Sequence, residues 1–169
     1  MHNSDHEQDS IDRIREGWQA LRPDMDTSAI GTIGRVIRIA RHVTLLSDHV
    51  LAEFGISRGE FDVLSAVRRA ATPLTPSELA RGLVTSNASI TKRMVALETL
   101  GLAVRERGAG DRRVVRVRLT EEGIAVIDRA VPAQLAFERE LDGQLSPDER
   151  ESFEGTLRTV LADLERRAE

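Results

Sequence analysis

The stretch from Leu74 to Thr120 constrains the chain most, because its hydrophobic period changes at Gly101. It reads LTPSELARGLVTSNASITKRMVALETLGLAVRERGAGDRRVVRVRLT. Thr75, Pro76 and Glu78 form a helix start: Thr75 caps the N3 amide, proline suits the first helical position, and Glu78 reaches back to the cap. A short helix through Leu79, Ala80 and Leu83 follows, and Thr85 and Ser86 interrupt it. A second helix is predicted from about Asn87 to Leu100, with Gly101 supplying the left-handed residue that stops it. Beyond Gly101 the period is two. Leu102 and Val104 lead to a Gly108-Ala109-Gly110 turn, after which Val115, Val117 and Leu119 alternate with Arg116 and Arg118.

Two helices at a sharp turn beside an Arg-rich hairpin predict a winged helix-turn-helix. The charge points to its partner. Nine basic residues face four acidic ones between Thr75 and Thr120, although the whole chain carries a net charge of −4. Basic charge gathered on one region of an acidic protein suits the backbone of double-stranded DNA, where phosphate contacts dominate affinity.

Asp111-Arg112-Arg113, followed by Leu119-Thr120 and Gly123, resembles the D-x-R wing and L-T-x-x-G sequence of MarR-type regulators. The LTPSELA segment and the Thr91-Lys92-Arg93 triplet fit the same pattern. The resemblance spans roughly Ile30 to Leu164. It implies that Arg113 enters the minor groove from the wing tip and that Asp111 helps hold the wing.

At 169 residues the chain suits one domain with peripheral helices. With 40% hydrophobic and only 3% aromatic residues, its core must be built from Leu, Ile, Val and Ala. The expected fold class is mainly α with a small β-hairpin wing: a winged helix-turn-helix core with N- and C-terminal dimerisation helices. No apolar run reaches the roughly 18 residues of a membrane span and no signal-peptide pattern opens the chain, so the expectation is a cytoplasmic protein with no membrane partner. Absence of cysteine excludes disulfides, thiol sensing and thiolate metal sites. Lys92 is the single lysine among 24 basic residues, and arginine brings planar, bidentate donors suited to phosphates and planar anions.

Residues 1–27 read as an N-terminal extension in which Ser10 caps a short helix carrying Ile11, Ile14, Trp18 and Leu21 on one face. Residues 28–56 and 121–169 read as dimerisation helices flanking a DNA-binding region at 57–120. The first of these is a long helix from about Ser28 to Phe54, with Ile30, Ile33, Ile37, Ala40, Thr44, Leu51 and Phe54 as its stripe and Gly55 as its stop. Gly31 and Gly34 suit a close approach of helices. Ser57 and Glu60 form another capping box. Thr120 caps a helix with Ile124, Ile127, Val131 and Leu135 as its stripe and a bend expected at Pro132. Ser146, Pro147 and Glu149 start the last helix, striped by Phe153, Leu157, Val160, Leu161 and Leu164. These stripes exceed what a winged-helix core can cover, so a symmetric homodimer on a palindromic operator is expected.

On the second helix, Met94 and Leu97 fall within about 40° of Ile90 and form the buried side. Ser89, Thr91 and Lys92 then point at the groove, and Ser86 and Asn87 at the helix start can donate to phosphates. For Ser86 alone, an N-cap role is equally expected. Arg112 and Arg113 flank the wing turn. Arg93 lies at the margin of the buried side, where an arginine needs an anionic partner, and Asp62 is a candidate.

Trp18, Asp62, Arg93 and Arg105 match the set associated with the urate-responsive MarR subfamily, which also carries an added N-terminal helix. The resemblance implies a small-molecule effector, urate or another purine, that releases a repressor from DNA. A planar purine anion would stack on Trp18, accept hydrogen bonds from Arg93 or Arg105, and donate ring N–H to Asp62. Each residue also has a plain structural role: helix packing for Trp18, an ion pair for Asp62 with Arg93, a phosphate contact for Arg105.

Two other readings remain: a regulator sensing a phenolic or apolar compound, and a ligand-independent architectural DNA binder. An enzyme is not expected, since the chain has no G-x-S-x-G, no phosphate-binding glycine loop and no metal-ligand pattern, and no cofactor is called for. His42 and His49 share a helix face, but without neighbouring ligands they read as core or surface residues.

Overall fold

The computed structural model describes residues 8–107 and 114–168. The chain divides into two compact units, residues 1–48 and 49–169.

The first unit opens with α1, Ser10–Leu21. Its cap is Asp9 rather than Ser10: the Asp9 carboxylate accepts from Ile11 N at 2.7 Å and Asp12 N at 3.1 Å, and Asp12 accepts in return from Asp9 N at 3.3 Å. Both residue types cap well, and the reciprocal carboxylate at Asp12 decides between them. The expected long helix is continuous over residues 28–52 but contains a π-helical turn near its start. A π-helical turn, Ile30–Gly34, runs into α2, Arg35–Ala52. Gly34 lies against Ile11, where a Cβ would meet the Ile11 side chain at 3.4 Å. Arg35 joins Asp9 at 2.8 Å and Asp12 at 2.7 Å and donates to the Gly31 carbonyl at 2.7 Å. One guanidinium thus ties the start of α1 to the π-helical turn.

The second unit holds the core. Leu51, Val63, Leu64, Ile90, Met94, Leu97, Val117 and Ile127 are wholly buried within it. α3, Arg58–Arg69, starts at the expected Ser57–Glu60 box, and α4, Pro76–Gly82, at the Thr75–Glu78 box. α5, Asn87–Thr99, ends one residue before Leu100, and Gly101 takes a left-handed φ of 71°. β1, Ala103–Arg107, pairs antiparallel with β2, Val115–Leu119, in the register Ala103 to Leu119 through Arg107 to Val115. Leu74 adds a single bridge to Val117, with Val117 N donating to Leu74 O at 2.8 Å. The mainly helical fold with a hairpin wing is as expected.

α6, Glu121–Asp142, runs unbroken through Pro132, and α7 covers Pro147–Ala168. Of the stripe predicted for α6, Ile127 is buried and Val131 packs against the core. Val126, Ile127, Ala130 and Gln134 are buried, whereas Ile124 and Leu135 are exposed. Gly123 is pressed against the carbonyl of Leu102 at the helix start. No residue of α7 is buried, and Phe153, Leu157, Val160, Leu161 and Leu164 all lie exposed. Among the described residues no helix is long and apolar enough to cross a membrane.

Candidate nucleic-acid interface

α4 and α5 are joined by a turn built from backbone hydrogen bonds. Leu83 N donates to Leu79 O at 2.9 Å, Val84 N to Arg81 O at 3.1 Å and Thr85 N to Ala80 O at 2.9 Å. Ser86 then caps α5, its Oγ accepting from Ser89 N at 3.1 Å. That satisfies one of the free amides and leaves Ser86 itself exposed.

The helix is divided as its spacing requires. Ile90, Met94 and Leu97 are wholly buried, while Asn87, Ala88, Thr91, Lys92 and Val95 are exposed. Ser89 is half-buried at the boundary. Thr91 Oγ1 donates to Asn87 O at 2.9 Å. The result is a polar ridge with one cation, Lys92, on a helix whose opposite side is locked into the core.

The wing is less freely basic than alternation implies. Arg118 Nε donates to Glu106 Oε1 at 2.8 Å, and that bond holds the Glu106 carboxyl below its ordinary range. Arg116 donates to Pro73 O at 2.7 Å. Both arginines therefore brace the hairpin from within, a role that alternation alone did not reveal. Asp111, Arg112 and Arg113 lie outside the described residues.

Trp18 is on α1 of the first unit and 43% exposed. The other three residues of the proposed effector set belong to the second unit. Asp62 does not pair with Arg93; it accepts from Arg58 Nε at 2.9 Å. Arg58 sits one turn earlier on the same helix, so no second element has to be brought up, and that i,i+4 spacing was visible in the sequence. Arg58 also lies over the Phe61 ring at 5.6 Å and 3.6 Å from Glu138. Arg93 instead packs on Gly59, in the first turn of α3: a Cβ there would come within 2.8 Å of Arg93 Nε. No hydrogen bond or ion pair joins Arg93 to another described residue. Arg105 reaches back to α5, 3.3 Å from Glu98 Oε2 and 3.4 Å from Thr91 O. It thereby fastens β1 to the helix that carries Lys92.

No group of three or more His, Asp or Glu able to hold a metal ion is found among the described residues. The exposed face of α5 offers hydroxyl, amide and ammonium donors from Asn87, Thr91 and Lys92.

Comparison with known proteins places these features. The MarR family model matches residues 54–114. The HTH-type transcriptional regulator PecS of Dickeya dadantii is 32% identical over 152 residues, which cover 89% of this chain and 92% of PecS. The crystal structure of wild-type MarR from E. coli, in its apo form, is similar with a TM-score of 0.66 at 29% identity, over 76% of this chain and 96% of that one. A mutant of the same E. coli protein, complexed with operator DNA, gives a TM-score of 0.70 at 27% identity, over 85% and 97%.

Proposed function

Since the chain belongs to the MarR family of winged helix-turn-helix transcriptional regulators, we propose that it is a repressor that binds a palindromic operator as a homodimer and is released by a small planar anion, urate or a related purine. The observation that carries the DNA reading is the division of α5, whose polar ridge at Asn87, Thr91 and Lys92 stands exposed while Ile90, Met94 and Leu97 are wholly buried. Ser86 and Ser89 extend that ridge, and Arg112 and Arg113 supply the wing contact. The E. coli protein of similar fold complexed with operator DNA supports the DNA reading.

The homodimer reading is supported by apolar surface that the single chain leaves open. Ile33, Ile37, Leu45 and Leu46 on the π-helical turn and α2, and Leu157, Leu161 and Leu164 on α7, are all more than a third exposed. Such stripes mark interfaces. Sedimentation at micromolar concentration should give twice the 18.7 kDa chain mass, and a monomer would remove the palindrome argument.

The effector reading rests on Arg93. A cation at the start of α3 opposes the positive end of that helix and has no carboxylate of its own, so an anion bound there gains from both. Asp62 is within one turn of Gly59 to accept a ring N–H, and Arg105 adds a second guanidinium. An anion that takes Arg105 from Glu98 loosens the tie between β1 and α5, and each ~1.4 kcal/mol of preference for the non-binding state lowers operator affinity about tenfold. A mobility-shift assay on the gene's own upstream DNA, with and without urate or xanthine, tests both parts. Failure to bind DNA sinks the first; binding that neither purine disturbs sinks the second.

A further inference from the structure

Val84 occupies a backbone position that suits glycine. Its φ is 48°, and it is the one non-glycine residue with positive φ among the described residues. The hydrogen bonds explain why the turn demands it. Val84 N bonds to Arg81 O and Thr85 N to Ala80 O, the paired 5→2 and 6→1 bonds that close a helix through a left-handed residue. The neighbours hold that geometry: Leu79 and Ala80 are buried before the turn, and Ser86 begins α5 after it. A β-branched side chain is strained there, because its Cβ crowds the following carbonyl.

Such strain is tolerated when the side chain packs well, yet Val84 is 92% exposed. An exposed valine is ordinary on any surface. A valine that is exposed, strained and held at a glycine position contributes nothing to the fold that glycine would not do better. Its use therefore lies outside the chain. It stands two residues before Ser86, the cap of α5, whose first residues Asn87 and Ala88 are exposed.

We propose that the Val84 isopropyl group makes an apolar contact with operator DNA, against a thymine C5-methyl or a deoxyribose, and so adds discrimination that the polar ridge of α5 does not supply. This rests on the reading of α5 as the DNA-facing helix. Methyl contact in the groove is a recognised form of base readout, and residues in strained turns cluster at binding sites. A phosphate contact is excluded by the chemistry of the side chain.

The test compares the parent protein with Val84→Gly and Val84→Ala. Thermal unfolding of Val84→Gly should rise by about 1–4 °C as the strain is relieved. Operator affinity should nonetheless fall about three- to tenfold for both variants, with the salt dependence of binding unchanged. Repeating the titration on an operator carrying uracil for thymine identifies the contact: the variants' deficit disappears if they lost a thymine methyl and persists if they lost a deoxyribose. Equal operator affinity of parent and variants overturns the proposal, as does a Val84→Gly protein that melts lower than the parent. Should the parent itself ignore the operator, the DNA reading of α5 fails instead, and the two failures are told apart by that control.

Discussion

Gly123 sits so close beneath the carbonyl of Leu102 that a Cβ on it would lie 1.9 Å from that oxygen. The same carbonyl accepts from Thr120 N at 3.1 Å, while Thr120 Oγ1 donates to Gly101 O at 2.7 Å and accepts from Gly123 N at 3.0 Å. Gly101, Leu102, Thr120 and Gly123 therefore form one joint, in which the end of the wing, the stop of α5 and the start of α6 share a single hydrogen-bonded corner.

Gly123→Ala should consequently lower stability by at least about 2 kcal/mol, since backbone has to move to admit the methyl. Chemical denaturation followed by circular dichroism measures it. A change within experimental error would mean that the corner yields easily.

Lys92→Ala should weaken operator binding by about 1–3 kcal/mol and reduce the salt slope by about one if Lys92 meets a phosphate. Arg113→Ala should weaken binding by a similar ~1–3 kcal/mol. Fluorescence anisotropy at two salt concentrations separates the cases, and unaltered affinity for either variant removes that residue from the interface.

Arg93→Ala should leave the stability of the unliganded protein within about 1 kcal/mol of the parent, because no ion pair is lost. It should abolish the rise in melting temperature produced by urate or xanthine. Asp62→Asn should do the same to the urate response. A ligand-induced shift that survives both substitutions places the effector elsewhere.

Stability should fall on the acid side in part through Asp128. Hydrogen bonding from Arg68, at 2.9 Å, holds the Asp128 carboxyl below its ordinary value of 3.8. A carboxyl depressed in the folded state stabilises the fold above its unfolded value and loses that contribution as pH falls through the folded one. Asp128→Asn should therefore be less stable than the parent near neutrality and converge with it in acid. Parallel urea midpoints across the whole range would show that the pair contributes nothing.

Several of these features were legible before any fold was known. The boxes at Ser57–Glu60 and Thr75–Glu78, the glycine stops at Gly55 and Gly101, and the switch of period after Gly101 are local effects, written within a few residues of where they act. The buried face of α5 followed from spacing alone. Other features were out of reach. Nothing in the spacing of α6 says that Val126, Ala130 and Gln134 join Ile127 in the core, because which side of a helix meets the core is decided by packing. The wing arginines looked equivalent by alternation, and only the strand register and the position of Pro73 assign Arg118 to Glu106 and Arg116 to a carbonyl.

What the sequence by itself determined is the order and kind of the elements, the placing of basic charge around α5 and the wing, and the helix that presents Lys92. These depend on caps, periodicity and composition, each set by neighbours in the chain. What only the tertiary structure decided is the partner of each charged side chain and the conformation of single residues such as Val84. Partner choice depends on which distant atoms arrive within about 3 Å, and that distance is a property of packing rather than of order along the chain.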